Sequence, residues 1–128
     1  MNEILDPGHK YKLFTLDGEL DQILTFVKRF DPEHPEKFPG NTEAYPGTTL
    51  QAVIRCLLNR VTYLQNQIPH NNNLAITSRL LECLWLLEDR AAERHGWSFD
   101  YRPEDMMKMP MCPHCGHVVC TELGNAHH

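Results

Sequence analysis

The 128-residue sequence lacks the features that mark several large functional classes. No apolar run approaches the roughly 20 residues needed to cross a bilayer. The opening MNEILDPGHK carries acidic residues and a proline where a secretory signal has positive charge and an apolar run. No Walker loop, nucleophile–base pair or carboxylate dyad is present. We therefore expect a soluble intracellular protein that is not an enzyme and does not enter the membrane.

Positive charge is also scarce. Twelve Lys and Arg residues stand against 17 Asp and Glu residues, which gives a net charge of −5. Surfaces that coat nucleic acid are normally basic, so this balance disfavours nucleic acid as a partner. An anionic ligand would have to be held by a local cluster of arginines. The length predicts one domain, over residues 1–97, with a small appendage over residues 98–128.

The N-terminal part predicts a β-hairpin over residues 9–30. Side chains alternate in character from Tyr11 to Thr15, Asp17-Gly18 is a turn signal, and a second strand is predicted from about Ile23 to Val27. The segment ELDQILTFVKRF also fits a helix of three turns. Residues 31–47 hold four prolines and two glycines, which predicts an irregular, extended arm.

Two helices follow, over about 48–67 and 72–95. Thr48 and Gln51 have the spacing of a capping box, and the run Asn71 to Asn73 is predicted to cap the second helix. The predicted apolar stripes are Leu50, Ile54, Leu57, Val61 and Leu64 in the first helix, and Leu74, Leu80, Leu81, Leu84, Leu87 and Ala91 in the second. The short link predicts an antiparallel helical hairpin, and the whole an α+β fold. Leu84 to Leu87 cover more than one face, so we expect self-association.

The cysteines fall into two groups. Cys56 and Cys83 lie within the helical patterns and are expected to be buried thiols. The tail segment CPHCGHVVC contains the C-x-x-C spacing of a zinc-ribbon half-site after a Met-rich linker. No second C-x-x-C completes a ribbon. We therefore predict a structural zinc held by Cys112, Cys115, Cys120 and one histidine. The candidates for that histidine are His114, His117, His127 and His128, of which a terminal one, taken as His128, would close the site, and the alternatives are an unmetallated tail or a two-chain site.

Arg90 and Arg94 lie one helical turn apart in LLEDRAAERHGW. Like charges at this spacing disfavour a helix slightly. One interpretation is a solvated helix end, where cations suit the negative pole of the dipole. The other is a fork that grips phosphate through paired donors.

The span GTTLQAVIRCLLNRVTYLQNQIPHNNNLAITSRLLECLWLLEDRAAERHG, residues 47–96, resembles the helical hairpin of phage-encoded sponge proteins, the Thoeris anti-defence and anti-CBASS family. The shared pattern is a Gly-Thr start, an aliphatic stripe, Arg60, an aromatic residue before a polar turn containing Asn, then Trp and R-x-x-x-R. These proteins bind cyclic nucleotide immune messengers without cleaving them. The zinc-type tail departs from the pattern.

The resemblance implies that Arg90 and Arg94 contact the pyrophosphate of a cyclic ADP-ribose-type messenger, that Tyr63 stacks on a base and that Asn73 donates a hydrogen bond. Thr48 and Thr49 would contact phosphate in a second pocket for cyclic oligonucleotides. It also implies a homo-oligomer, at least a dimer and up to a hexamer, in the cytoplasm of an infected bacterial host.

Helix geometry gives an independent condition. Asn73 and Arg90 would lie about 25 Å apart on one helix, so a single small ligand can reach both only across two chains. The alternative function is a zinc-tailed oligomeric adaptor that binds protein or nucleic acid. A hydrolase using the tail metal is the least favoured, because Cys and His ligands would leave no open position.

Overall fold

The computed structural model describes residues 2–18 and 20–94, with only the backbone described for Arg94. Within these residues a three-stranded antiparallel sheet precedes two α-helices, which confirms the α+β layout. The chain divides into two compact units, Met1–Leu50 and Gln51–His128. None of the described helices combines the length and the apolar character that crossing a membrane requires. The predicted linker and tail, 98–128, lie outside the described residues.

The sheet belongs to the first unit and has the strand order β1-β2-β3, with β1 Glu3–Asp6, β2 Lys10–Leu13 and β3 Gln22–Thr25. The predicted hairpin corresponds to β2 and β3, so the helical alternative for this segment is wrong. Strand β1 was not predicted. It joins β2 through a turn in which the His9 N–H donates to the Asp6 carbonyl over 2.9 Å. Pro7 and Gly8, whose φ is +82°, occupy the two central positions, as in a type II turn.

The arm over residues 31–47 is not extended, contrary to the prediction. It contains a 3₁₀ turn at Pro35–Lys37 and then returns to the chain that continues from β3. Lys28 and Tyr45 exchange two backbone hydrogen bonds, of 3.1 and 3.0 Å. The N–H of Thr48 donates to the Thr25 carbonyl over 2.8 Å. The prolines excluded a long strand, but they left enough free N–H groups for two isolated bridges.

The second unit contains the predicted helical hairpin, α1 over Leu50–Gln67 and α2 over Asn71–Arg94. Leu58 of α1 packs in one cluster with Leu84 of α2, and Arg55 lies beside Glu88. The residue number rises from 55 to 58 in α1 while that of its contact falls from 88 to 84 in α2, so the two helices are antiparallel. The fully buried apolar residues are Leu58, Leu84, Ala91 and Ala92.

The stripe predicted for α1 matches the observed core only in part: Ile54 packs against the buried cluster as predicted, and Val61 and Leu64 are half-buried. Leu58 is completely buried, whereas the predicted Leu50 and Leu57 are 52% and 46% exposed. In α2, Leu84 and Ala91 are buried as predicted, but Leu74 is 56% exposed. Apolar residues occupy more than one face of each helix, so periodicity alone did not select the face that packs.

A buried ion pair was also missed. The Glu88 side chain is completely buried, and its Oε1 lies 3.7 Å from Nη2 of Arg55, which is 15% exposed. Burial lowers the pKa of the Arg55 guanidinium, and the charge of Glu88 opposes that shift. Arg55 belongs to α1 and Glu88 to α2, and nothing in the sequence indicated that the two side chains would face each other in the interior.

Candidate ligand-binding site

Asn73 and Arg90 lie on one uninterrupted helix, α2. A rise of 1.5 Å per residue places their backbones about 25 Å apart along its axis. At 100° per residue they also point about 100° apart around it. No single small ligand can therefore bridge them within one chain, and the separation predicted from the sequence is confirmed.

Asn73 is inside the first turn of α2 and does not cap it, contrary to the prediction. Its N–H donates to the His70 carbonyl over 3.0 Å, and its own carbonyl accepts from the Thr77 hydroxyl over 2.9 Å. The cap is His70, whose Nδ1 accepts the Asn72 N–H at 2.9 Å. Histidine is not among the common capping residues, so sequence preference selected the asparagines. The side-chain amide of Asn73 makes no hydrogen bond to any residue that the structure describes.

Arg90 is exposed and forms no ion pair with any of the described residues 2–18 and 20–93. Glu93, three residues further along α2, forms no ion pair with Arg90. The Glu88 side chain lies on another face of α2 and is buried in the core. Arg94, one turn after Arg90, is the last residue of α2 that the structure describes, and its side chain lies outside the described part. Arg90 is thus available to an anion.

Tyr63 lies on the outer surface of α1. It is 55% exposed, and the guanidinium carbon of Arg60 lies 5.4 Å from the centre of its ring. Helical geometry places Tyr63 about 140° around α1 from Leu58, which faces α2. The ring is open for stacking, with a cation at its side, but the hairpin does not bring it to Asn73.

Thr48 and Thr49 precede α1, and the capping-box prediction for Thr48 is wrong. In that motif the Gln51 side chain would bond to the Thr48 N–H. That N–H instead donates to the Thr25 carbonyl, and the helix begins at Leu50 with Thr49 before it. Gln51 is buried, with 4% of its surface exposed.

One side of α2 carries exposed apolar residues together with Arg90. The spacing alternates between three and four residues, so these side chains share a face. We call it the exposed α2 face: Ile76, Arg79, Cys83, Leu86 and Arg90. Ile76 and Leu86 are 45% and 54% exposed. Cys83 is also exposed, as is Cys56 on α1, so the prediction of buried thiols is wrong for both.

A cavity of about 330 Å³ lies at the closed end of the hairpin. It is lined by Gln65, Pro69, His70 and Asn71, and therefore lacks arginine or lysine. Its Gln65 Oε1 accepts the His70 N–H at 2.9 Å, which braces the turn. None of the predicted ligand residues lines this cavity.

A polar cluster in the first unit was not predicted. Asp6 Oδ2 accepts hydrogen bonds from the Tyr45 hydroxyl at 2.5 Å and from Lys28 Nζ at 2.9 Å. Lys10 Nζ lies 4.8 Å from the centre of the Tyr45 ring. The bond from Tyr45 holds the pKa of Asp6 below its usual value, and burial with this bond raises the pKa of Tyr45 to about 12. A hydroxyl that resists deprotonation is a poor nucleophile, so the cluster does not suggest catalysis. Its hydrogen bonds instead attach the arm, through Tyr45, to Asp6 of the sheet.

Metal ligands are sparse among the described residues. Asp31, Glu33 and His34 are the one group of three whose ligand atoms lie within 4.8 Å of one another there, and the group is largely exposed. The His34 ring bonds to Asp31 Oδ2 at 2.8 Å, which already satisfies that oxygen. The predicted zinc ligands Cys112, Cys115, Cys120 and His128 lie outside the described residues.

Comparisons of the chain with protein-family models, with curated proteins and with solved structures found no match.

Proposed function

We propose that this chain is a sponge that captures a cyclic nucleotide messenger without cleaving it and so inhibits antiviral signalling in the cytoplasm of an infected bacterium. The ligand would be a cyclic ADP-ribose isomer, a cyclic oligonucleotide or both. The ligand class comes from the resemblance of residues 47–96. The observation that carries the proposal is the exposed α2 face, which includes Arg90, a residue without an ion pair to any side chain in the described part of the chain.

The exposed α2 face has the spacing of a helix–helix seam. Its residues alternate three and four positions apart from Ile76 to Arg90, as in the a and d positions of a heptad. Ile76 and Leu86 are half-exposed, and covering them with another helix would remove their apolar surface from water, which is favourable. The simplest partner for such a face is the same face of a second copy, around a two-fold axis.

Cys83 is the midpoint of this face, seven residues after Ile76 and seven before Arg90. Antiparallel pairing about Cys83 would place Ile76 of one protomer level with the partner's Arg90. Asn73 would then lie level with the partner's Glu93, between the two arginines. A separation of about 25 Å within one chain becomes about one helical turn between chains.

The chemistry of such a crevice is binding without catalysis. Two guanidiniums would grip a pyrophosphate through paired donors, and Asn73, about 100° around the helix from Arg90, would border the crevice. Tyr63 lies on the outer surface of α1, so we expect it to contribute less than Arg90. Thr48 and Thr49 belong to the first unit and would serve a separate pocket.

Ligand binding is tested by thermal melting with cyclic ADP-ribose isomers and with cyclic di- and trinucleotides. At a free ligand concentration of 100 Kd, one site stabilises the folded state by about 2.7 kcal/mol. Heating the complex should release the ligand with its mass unchanged. Arg90→Ala should remove the shift, and Tyr63→Ala should reduce it less.

The matched control is Arg79→Ala. Arg79 is on the same face of the same helix, but its guanidinium already lies 3.8 Å from Glu82. The proposal fails if no cyclic nucleotide shifts the melting temperature, or if Arg79→Ala and Arg90→Ala have equal effects.

The pairing is tested by mild oxidation followed by mapping of disulfide-linked peptides. Cys83 and Cys56 are both exposed, so each can react. The two-fold arrangement predicts a Cys83–Cys83 link that Cys83→Ser abolishes and Cys56→Ser leaves intact. A protein that is monomeric by light scattering at every concentration would contradict the pairing.

We also propose that Cys112, Cys115, Cys120 and His128 hold one structural zinc. The support is the C-x-x-C spacing of the tail. Elemental analysis should give one zinc per chain, and Cys112→Ser should lower that ratio. A ratio near zero in protein purified without chelator would contradict the proposal.

A further inference from the structure

A second cavity, of about 420 Å³, lies in the first unit beside the chain that continues from β3. The walls of this cavity are formed by the segment that follows β3 and by the arm. We call it the arm cavity, and it is lined by Lys28, Arg29, Phe30, Asp31, Lys37, Phe38 and Ala44. Its volume falls within the range of small-molecule sites, and it is a shallow groove that is largely open to solvent.

The lining of the arm cavity is cationic, although the chain as a whole is acidic. Three of its side chains are basic and one is acidic, against a net charge of −5 for the chain. Lys28 is bonded to Asp6 outside the cavity, so its charge is largely compensated. Arg29 and Lys37 form no ion pair with any residue in 2–18 or 20–93. The positive charge open to a ligand is therefore that of Arg29 and Lys37.

Asp31, the one acid in the lining, is already occupied. Its Oδ2 receives the His34 ring nitrogen at 2.8 Å, and its Oδ1 receives the Glu33 N–H at 3.0 Å. These hydrogen bonds hold the pKa of Asp31 below its usual value, so it is ionised at neutral pH. The charge of Lys37 contributes to the same lowering of the pKa, so the Asp31 carboxylate offsets part of the positive charge at that lysine.

Two phenylalanines complete the lining. Phe30 and Phe38 are both half-buried, so part of each ring remains open while the rest is fixed in the unit. Aromatic walls beside a guanidinium and an ammonium suit a ligand with both a flat ring and a phosphate. An inorganic anion would leave the two phenylalanine rings exposed to water. An uncharged ring compound would leave both cationic side chains without a counter-charge.

We propose that the arm cavity binds a small phosphomonoester of an aromatic or heteroaromatic ring compound, with Arg29 and Lys37 on the phosphate and Phe30 and Phe38 against the ring. Nucleoside monophosphates and aryl phosphates share this chemistry. The site lies within the first unit and does not depend on the sponge proposal, whose crevice is built from α2.

The test is isothermal titration calorimetry of the full chain with adenosine monophosphate, phenyl phosphate, adenosine and inorganic phosphate. Either phosphomonoester should bind at least tenfold more tightly than adenosine or inorganic phosphate. The stronger of the first two identifies the source of the ring. Equal affinity for inorganic phosphate would overturn the proposal, because the aromatic walls would then contribute nothing.

The matched variants are Lys37→Gln and Lys12→Gln. Lys12 is a lysine of β2 in the same unit that pairs with Asp21 and does not line the cavity. Lys37→Gln should weaken binding about tenfold, as expected for loss of one charge-assisted hydrogen bond, and Lys12→Gln should not. Equal effects of the two lysine variants would overturn the assignment.

Discussion

Replacement of Gly47 by alanine tests a close approach between two backbone segments of the first unit. A Cβ at this position would lie 2.5 Å from the Phe26 carbonyl carbon, 2.6 Å from the Val27 nitrogen and 2.7 Å from the Thr25 carbonyl oxygen. All three atoms belong to the backbone, so no side chain can rotate away. The φ of Gly47 is not positive, so the requirement for glycine here is space and not conformation.

The expected cost can be estimated from the contacts that must move. The bridge beside Gly47 contains two hydrogen bonds, from the Val27 N–H to the Thr48 carbonyl at 3.0 Å and from the Thr48 N–H to the Thr25 carbonyl at 2.8 Å. Losing both costs about 1–3 kcal/mol. Overpacking adds about 1–3 kcal/mol if the backbone is held, and the stiffer unfolded chain returns about 0.5 kcal/mol. These terms together give an expected destabilisation of the first unit by roughly 1.5–5.5 kcal/mol.

Urea unfolding measures the total, and amide hydrogen exchange shows where it arises. In Gly47→Ala the amides of Val27 and Thr48 should lose protection first. Gly18→Asn is the control, because Gly18 has open space around it and a φ of +71°, which asparagine tolerates. If Gly47→Ala has the wild-type free energy of unfolding and both amides remain protected, the surrounding backbone does not require glycine at this position.

Three further predictions concern the core, the buried pair and the polar cluster. Leu58→Ala should lower the free energy of unfolding by about 3 kcal/mol, and Leu57→Ala by less than about 1 kcal/mol, in urea denaturation; the reverse order would restore the predicted stripe. Arg55→Met should cost about 3 kcal/mol because it leaves the Glu88 carboxylate buried without that counter-charge, and Arg55→Met with Glu88→Leu should recover most of the loss in a double-mutant cycle. Because the pKa of Tyr45 is raised from 10.0 to about 12, its contribution to stability is complete below pH 10 and is lost as the pH rises through 12. The absorbance of tyrosinate should show one late-titrating group that Tyr45→Phe removes; equal titration of all four tyrosines would contradict this.

Local sequence signals predicted the helices and strands, whereas long-range contacts determined how these elements pack against one another. The Asp17-Gly18 turn and the alternation after Tyr11 were enough to predict β2 and β3. The Pro7-Gly8 pair is an equally good turn signal and would have predicted β1 if given the same weight. The return of the arm had no such signal, because the bonds of Asp6 to Lys28 and Tyr45 span 22 and 39 residues.

The candidate site was predictable only as a set of spacings. Spacing placed Asn73 and Arg90 on one helix and excluded a single-chain site, since helix rise is nearly constant. It did not show that Leu57 faces outward or that Cys83 is exposed, because both helices have apolar residues on several faces. Which face packs depends on the partner helix, and that information is distributed over the whole hairpin.

The position of the arginine pair gives a physical reason why a second copy would matter for binding. Arg90 and Arg94 lie at the C-terminal end of α2, where the helix dipole favours cations but disfavours a bound anion. In an antiparallel pair this end would meet the N-terminal end of the partner's α2, whose dipole favours anions. A phosphate between them would gain both the guanidiniums and the partner's helix end. Affinity should therefore fall as the protein is diluted into its monomeric range. An affinity independent of protein concentration would mean that the arginines act alone, against the dipole of their own helix.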